Sequence, residues 1–279
     1  MYADLHLHST YSDGTDTPGE LLALARENGV SVIAIADHDA VGGVESLGDL
    51  QAIPDVRVIP AIELSCIANR KLLHVLGYYI DARNPEFEAF IARMARDKTE
   101  NTRVIFEHAR AKGVFDYPWE RVAALNPDQA RLSGVHVVKA MDEDGYAVPG
   151  MTTRALFRKY FLPSGEGFIE TDCASGRDAI DVIKAAGGIP VIAHPKSVED
   201  DEKVLELLDY GAQGLEVYHP SHTPEETKKY LAIAAERGLY VTGGSDWHGG
   251  NNRPEVTRFA VTGLASPDYA ILSARNAFA

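Results

Sequence analysis

Asp4-Leu5-His6-Leu7-His8, then Thr17-Pro18-Gly19-Glu20, then Ser31-Val32-Ile33-Ala34-Ile35-Ala36-Asp37-His38-Asp39 spell strand, helix, strand by residue 39. Thr17 can cap the helix, Pro18 suits its first position, and Glu20 completes a capping box. Leu21, Leu22, Leu24 and Ala25 supply an apolar face, and Gly29 ends it. The run 31–36 is apolar on both faces, as in a strand covered by helices.

Working outward, Val56 to Leu64 and Leu72 to Tyr79 read as further strands. The end of the chain uses the same grammar. Asp178 to Ala186 is helical and stops at Gly187-Gly188, Ile189 to Ala193 is a strand, Val204 to Tyr210 a helix, and Gly214 to Tyr218 a strand. Thr223-Pro224-Glu225-Glu226 opens another capped helix that ends near Gly238, before a strand over Leu239 to Gly243. Repeated βα units with buried strands predict a parallel sheet or an α/β barrel. The alternation lapses from about Pro85 to Asp172, where Phe87 to Lys112 reads as one long charged helix or two in succession. Residues 119–122 and Gly134 to Gly145 suggest more helices. The expected division is a barrel over 1–98 and 167–279, with a mostly helical insertion over 99–166 capping one face.

The chain has 279 residues, which suits one large α/β domain or a domain carrying an insertion. Its formal net charge of −14 repels long nucleic acid and leaves a small-molecule partner as the expectation. Cys66 and Cys173 form no Cys-x-x-Cys pattern, so a disulfide framework is not expected and a reducing cytoplasm fits. No apolar run reaches membrane-spanning length, and the opening residues lack the basic and apolar regions of a signal peptide.

The histidines carry the chemistry. His6 and His8 sit one residue apart on a strand, so both side chains point to one face. Alone, such a pair is equally a satisfied polar pair. It is accompanied by Asp37-His38-Asp39 after the run 31–36, Glu63 after Val58 to Ile62, and His74 within Leu72 to Leu76. His194 follows Ile189 to Ala193, and Asp246 and His248 follow Leu239 to Gly243. Nearly all stand at the carboxyl ends of strands, where α/β barrels gather catalytic groups. Each has a plain alternative: His74 as a hydrogen-bonded core residue, Glu63 or Asp246 as a cap. One metal cluster accounts for all of them, and imidazole and carboxylate ligands without thiolates suit Mn²⁺, Zn²⁺ or Fe²⁺.

The segment Asp4-Leu5-His6-Leu7-His8-Ser9, continuing to Ser12-Asp13-Gly14, resembles the opening motif of the PHP (polymerase and histidinol phosphatase) family. Ile35 to Asp39 resembles the second motif, and Ala193-His194-Pro195 and Gly244-Ser245-Asp246-Trp247-His248 the later ones. The resemblance covers about residues 1–80 and 170–255. It implies a distorted (β/α)7-type, TIM-barrel-like fold and two or three divalent ions. One ion would take His6, His8, Glu63 and Asp246; a second would share Glu63 and add His74 and His194; a third would take Asp13, His38 and His248. Asp13 stands where many relatives carry histidine. As a hard oxygen donor it favours Mn²⁺ over three zincs, with Mg²⁺, Zn²⁺ and Fe²⁺ as alternatives. Within the family the chain is most similar to stand-alone phosphoesterases with a helical insertion. These include nucleoside 3′,5′-bisphosphate phosphatases and a related 5′-to-3′ exoribonuclease.

Adjacent divalent ions lower the pKa of a bridging water and neutralise phosphoryl charge during in-line attack by the resulting hydroxide. The expected reaction is removal of the 3′-phosphate from a nucleoside 3′,5′-bisphosphate. Asp246 would serve both metal and chemistry, and His219 or Asp37 would position groups or protonate the leaving oxygen. A second substrate phosphate needs cations. Among Arg131, Lys139, Arg154, Arg158, Arg177 and Lys196, the expected binders are Arg158, Arg177 and Lys196, with His222 beside them. Phe157, Tyr160 or Trp119 would stack on a base. The alternatives are a 5′-to-3′ exoribonuclease, an amide or ester hydrolase bridged by Glu63, and a noncatalytic metal-binding module.

Overall fold

The computed structural model of the chain describes residues 2–68, 71–169, 171, 173–250 and 259–265; residues 266–279 of the expected barrel lie outside them. The strands are β1 (Tyr2–Leu7), β2 (Val32–Ile35), β3 (Arg57–Ala68), β4 (Lys71–Tyr78), β5 (Ile189–Ile192), β6 (Gly214–Tyr218), β7 (Tyr240–Gly243) and β8 (Leu264–Ala265). They form a sheet ordered β7-β6-β5-β4-β3-β2-β1-β8. The first seven nearly close into a barrel. At the seam His8 N donates to Trp247 O at 2.9 Å, and Leu7 bridges Trp247 in parallel. Closure depends on Gly244, since a Cβ there would strike His6.

Helices α1 (Pro18–Glu27), α2 (Gly42–Glu45), α3 (Pro85–Ala111), α4 (Trp119–Ala124), α5 (Gly134–Glu143), α6 (Thr153–Leu156), α7 (Gly176–Ala185), α8 (Asp201–Tyr210) and α9 (Pro224–Arg237) complete the order, with a π-helical turn over Phe157–Phe161. The capping signals act as read. The Thr17 hydroxyl accepts from Glu20 N at 3.3 Å, while Glu20 accepts from Thr17 N at 2.7 Å. Thr223 and Glu226 repeat the arrangement at α9.

Two strands depart from the expected parallel sheet: the short β8 pairs antiparallel with β1, and β4 departs within the barrel. β4 runs antiparallel to both β3 and β5, while the pairs β1–β2, β2–β3, β5–β6 and β6–β7 are parallel. A continuous apolar run shows that a strand is buried but not its direction. β3 also extends past the expected Leu64, so Glu63 lies within a strand rather than at its end.

The barrel interior is packed with small and medium residues such as Ala3, Leu5, Ala34, Ala61 and Val191, which close its base. The insertion has its own core around Phe106, Phe115, Trp119, Val137 and Tyr160. The expected boundary at 98/99 falls inside α3. Phe87 and Met94, in its first half, pack with the barrel's outer core; Ile105, Phe106 and Ala109, in its second, pack in the insertion core.

Candidate metal centre

β1 delivers His6 and His8 to one face, both fully buried. β3 supplies Glu63 and β4 supplies His74, while His38, His194, Asp246 and His248 sit just past β2, β5 and β7. Asp39, His194 and Asp246 have φ of 52°, 23° and 52°, in the region that costs a non-glycine residue energy. Strain of this kind gathers where strand ends turn sharply to aim side chains at a site.

Glu63 is the hub. Its Oε2 lies 3.2 Å from His6 Nε2, 3.3 Å from His8 Nε2 and 3.0 Å from His38 Nδ1. Its Oε1 lies 3.0 Å from both His74 Nδ1 and His194 Nε2. Asp246 Oδ1 is 3.1 Å from His8 Nε2, and Asp13 Oδ1 is 3.2 Å from His248 Nε2. Three overlapping groups place their ligand atoms within 4.8 Å of one another: His6, His8, Glu63 and Asp246; His38, Glu63 and His74; His8, Asp13, His38 and His248. The partition differs from the expected one in three places. His8 reaches two groups, and so does His38. His194 stands beside the second group, 3.3 Å from His74 Nδ1.

The residues fit divalent cations. His6 Nε2, both ring nitrogens of His8, His38 Nδ1 and Glu63 Oε2 are buried with no hydrogen bond. Leaving such atoms unsatisfied is costly, and here they converge. The outer partners select the tautomer. Glu216 accepts from His6 Nδ1 at 2.9 Å, so His6 Nε2 keeps its lone pair toward Glu63. The Ser197 hydroxyl donates to His194 O at 2.9 Å and therefore accepts from His194 Nδ1 at 2.6 Å. Asp246 O accepts from His248 Nδ1 at 2.8 Å, turning His248 Nε2 toward Asp13. Burial opposes charge on His6 and His8. Glu216, Glu63 and Asp246 nonetheless hold His6 well above its ordinary value, and Asp246 and Glu63 raise His8 to about 9. Burial likewise opposes ionisation of Glu63 and Asp13, yet the surrounding histidines hold both carboxyls low, and burial drives His38 down. The acids thus keep their charge despite their burial, so the site favours positive charge.

Glu216 was not singled out in the sequence. It is fully buried, and besides His6 its other oxygen accepts the His194 amide at 2.8 Å. Its signal was an acid between Leu215 and Val217 in a buried strand, where a carboxylate must have partners.

The other expected residues separate. His219 lines the cleft outside the three groups. Ser221 N donates to its Nδ1 at 3.2 Å, so Nε2 bears the proton, 3.4 Å from Asp246 Oδ2. Asp37 is not at the cleft. Its carboxylate accepts from Ser9 N at 2.8 Å, Ser9 Oγ at 2.6 Å and Ser12 Oγ at 2.6 Å, which makes it the anchor of the β1–α1 loop. Arg177 pairs with Glu206 at 2.8 Å and does not line the cleft; Lys196 pairs with Glu226 at 3.0 Å and donates to Ser221 O at 3.1 Å, behind the cleft's Ser221 edge and not among its lining residues. His222 donates from Nδ1 to Val217 O at 2.9 Å, and its ring packs against Tyr230. Trp119 and Tyr160 are buried in the insertion core, so neither meets a base. Arg158 and Phe157 do face the cleft.

That cleft, about 930 Å³, lies between the barrel mouth and the insertion. His38, His74, His194, Asp246 and His248 form its floor. Its walls carry Lys98, Arg131, Lys139, Arg154 and Arg158 with Phe157 and Phe161.

Residues 4–161 match the PHP domain family. The chain is 32% identical over 255 residues to a 3′,5′-nucleoside bisphosphate phosphatase of Chromobacterium violaceum, covering 88% of this chain and 86% of the relative. It is 29% identical over 263 residues to a phosphoribosyl 1,2-cyclic phosphate 1,2-diphosphodiesterase of Eggerthella lenta, covering 94% and 99%. A solved structure from Bifidobacterium adolescentis, described as a metal-dependent phosphoesterase, superposes with a TM-score of 0.82 at 26% identity, covering 98% of this chain and 96% of that one. Ligand geometry, fold and kinship agree: the chain belongs to the PHP domain family and is a metal-dependent phosphoesterase.

Proposed function

We propose that the chain removes the 3′-phosphate from a nucleoside 3′,5′-bisphosphate, using Mn²⁺ held by His6, His8, Asp13, His38, Glu63, His74, His194, Asp246 and His248. The observation that carries this reading is the sorting of cations in the cleft. Arg131 and Lys139 are committed to barrel loops, through the His38 and Asp13 carbonyls. The side chains of Arg154 and Arg158 have no hydrogen bond or ion pair among the described residues, whereas the Lys98 amine, which burial pushes down, feels the Asp39 carboxylate. Uncommitted cations beside a cluster of metal ligands, in a protein of net charge −14, suit an anion with a second charged group. The cleft volume lies in the range of small-ligand sites, and Phe157 and Phe161 offer an apolar face to a base. The kinship to a nucleoside bisphosphate phosphatase points the same way.

Bound divalent ions supply Lewis acidity, lowering the pKa of a water and neutralising phosphoryl charge. The chain's own residues hold the substrate and manage the proton. Arg154 and Arg158 fix the phosphate that is not cleaved. His219, fixed by Ser221 with its proton on Nε2, donates that proton to the leaving oxygen, while Asp246 orients the ring. Incubation with adenosine 3′,5′-bisphosphate and Mn²⁺ is expected to release one phosphate and the 5′-mononucleotide. No phosphate from a panel of phosphate monoesters, or stepwise shortening of an oligonucleotide with no turnover of the bisphosphate, overturns the reading.

A further inference from the structure

The insertion does more than roof the cleft. Four of its side chains within residues 129–139 donate to main-chain carbonyls of the two barrel loops that carry Asp13 and His38. Gln129 Nε2 donates to Thr10 O at 2.9 Å, and Lys139 Nζ to Asp13 O at 3.0 Å. His136 meets Ser12 O at 3.1 Å; a carbonyl only accepts, so His136 Nε2 bears the proton, while its Nδ1 accepts from Ser133 N at 3.0 Å. Arg131 Nε donates to His38 O at 2.9 Å and lies 3.2 Å from Asp39 Oδ2. Asp39 in turn accepts from Ser65 N at 2.7 Å, which ties the grip back to β3.

The targets are selective. Thr10, Ser12 and Asp13 belong to the β1–α1 loop, so three of the four bonds fall on the loop that carries Asp13, a ligand of one group only; the fourth falls on His38, just past β2, which that group shares with Glu63 and His74. His6, Glu63 and His74 ride on strands, and His8 follows β1 directly with its N–H bonded to Trp247 O, so the barrel fixes them without help. Asp13 has no strand beneath it. The Asp37 carboxylate holds Ser9 and Ser12, backbone bonds such as Thr15 N to His248 O hold the far end, and the insertion grips the carbonyls of Thr10, Ser12 and Asp13 between them.

We infer that residues 129–139 set the third metal site through the Asp13 loop, so that its occupancy depends more strongly on the insertion being seated than does that of the other two sites. The inference rests on Asp13, His38 and His248 being metal ligands. By linkage, an ion in that site also holds the insertion down.

The test counts ions by elemental analysis and titrates Mn²⁺ into three full-length proteins: the parent, Asp13→Asn, and Gln129→Ala combined with Lys139→Met. Asp13→Asn is expected to lose one equivalent, which defines the third site. The double variant is expected to weaken the same equivalent about ten- to hundredfold, the effect usual for losing outer support, with the other sites at parent affinity. Hydrogen exchange gives a second reading: Mn²⁺ should slow exchange over 129–139 in the parent and not in Asp13→Asn. If Asp13→Asn keeps the parent's full complement, the ligand reading fails and takes the inference with it. If Asp13→Asn loses its ion but the double variant binds like the parent, or loses all sites equally, only the inference falls. Should the double variant not fold, Gln129→Ala alone and the exchange comparison decide the matter in the same way.

Discussion

At the scale of single residues, the cluster of candidate metal ligands was legible because coordination chemistry admits few residue types and strand ends give most of them an address. The residues that support them were not, because any polar side chain can do that work. Glu216 shows the difference: its two oxygens hold the His6 ring and the His194 amide, and so bear on two ligand groups at once. Glu216→Gln keeps the shape and one acceptor but removes the charge that pairs with His6 Nδ1–H. It is expected to weaken Mn²⁺ retention about ten- to hundredfold, read as metal content after dialysis; unchanged retention would remove Glu216 from the site's support. Asp37 shows the converse. An acid between two histidine-bearing motifs reads as a proton carrier, but three donors from Ser9 and Ser12 engage it, and Gly43 packs so closely that a Cβ there would strike its carboxylate. The cations divide likewise. Arg158→Ala is expected to raise KM for the bisphosphate about ten- to hundredfold, as for loss of a charge-assisted contact. Arg177→Ala should leave KM unchanged, since its partner is the exposed Glu206. Equal effects from the two would contradict the placement of substrate in the cleft.

At the scale of elements, helices with strong caps were read nearly to the residue, because Thr-Pro-x-Glu satisfies the first free amides wherever it occurs. Direction was lost where the signal has none: β4 is as apolar as its parallel neighbours yet runs against them. Domain edges were lost for another reason. A helix's charged outer face looks the same whichever core its inner face joins, so α3 showed no break at 98/99. Its two halves belong to different cores, and this has a measurable consequence. The chain's two tryptophans, Trp119 and Trp247, lie in the insertion core and against the barrel's α1 side respectively. Single-tryptophan proteins made by Trp119→Phe and Trp247→Phe should therefore unfold at one shared denaturant midpoint. Glu100 is exposed in mid-helix, so Glu100→Pro removes a backbone bond with little change in packing. It is expected to cost about 3 kcal/mol and to separate the two midpoints. Midpoints already apart in the parent would mean that α3 does not couple the cores.

At the scale of the whole molecule, the net charge of −14 argued against a long polyanion as partner and concealed a cationic cleft, because a sum over the sequence cannot show where charges meet. It equally concealed how barrel and insertion hold each other, and here pH offers a handle. His136 joins α5 to the Ser12 carbonyl. Burial, then the nearby Arg131, pushes its pKa down to about 4. In the unfolded chain it would titrate near 6.5. Between these values the unfolded state binds more protons than the folded one, so stability rises with pH across the window. The contribution is complete above about 6.5, fades as pH falls, and is gone near 4, amounting to roughly 3 kcal/mol at most. His136→Gln leaves an amide able to reach Ser12 O but with nothing to titrate. At fixed Mn²⁺, the fall in Tm from pH 7 to pH 5 is expected to be smaller in this variant than in the parent. Identical falls would mean that His136 takes up no proton on unfolding, and that the seating of the insertion owes its acid sensitivity to other groups.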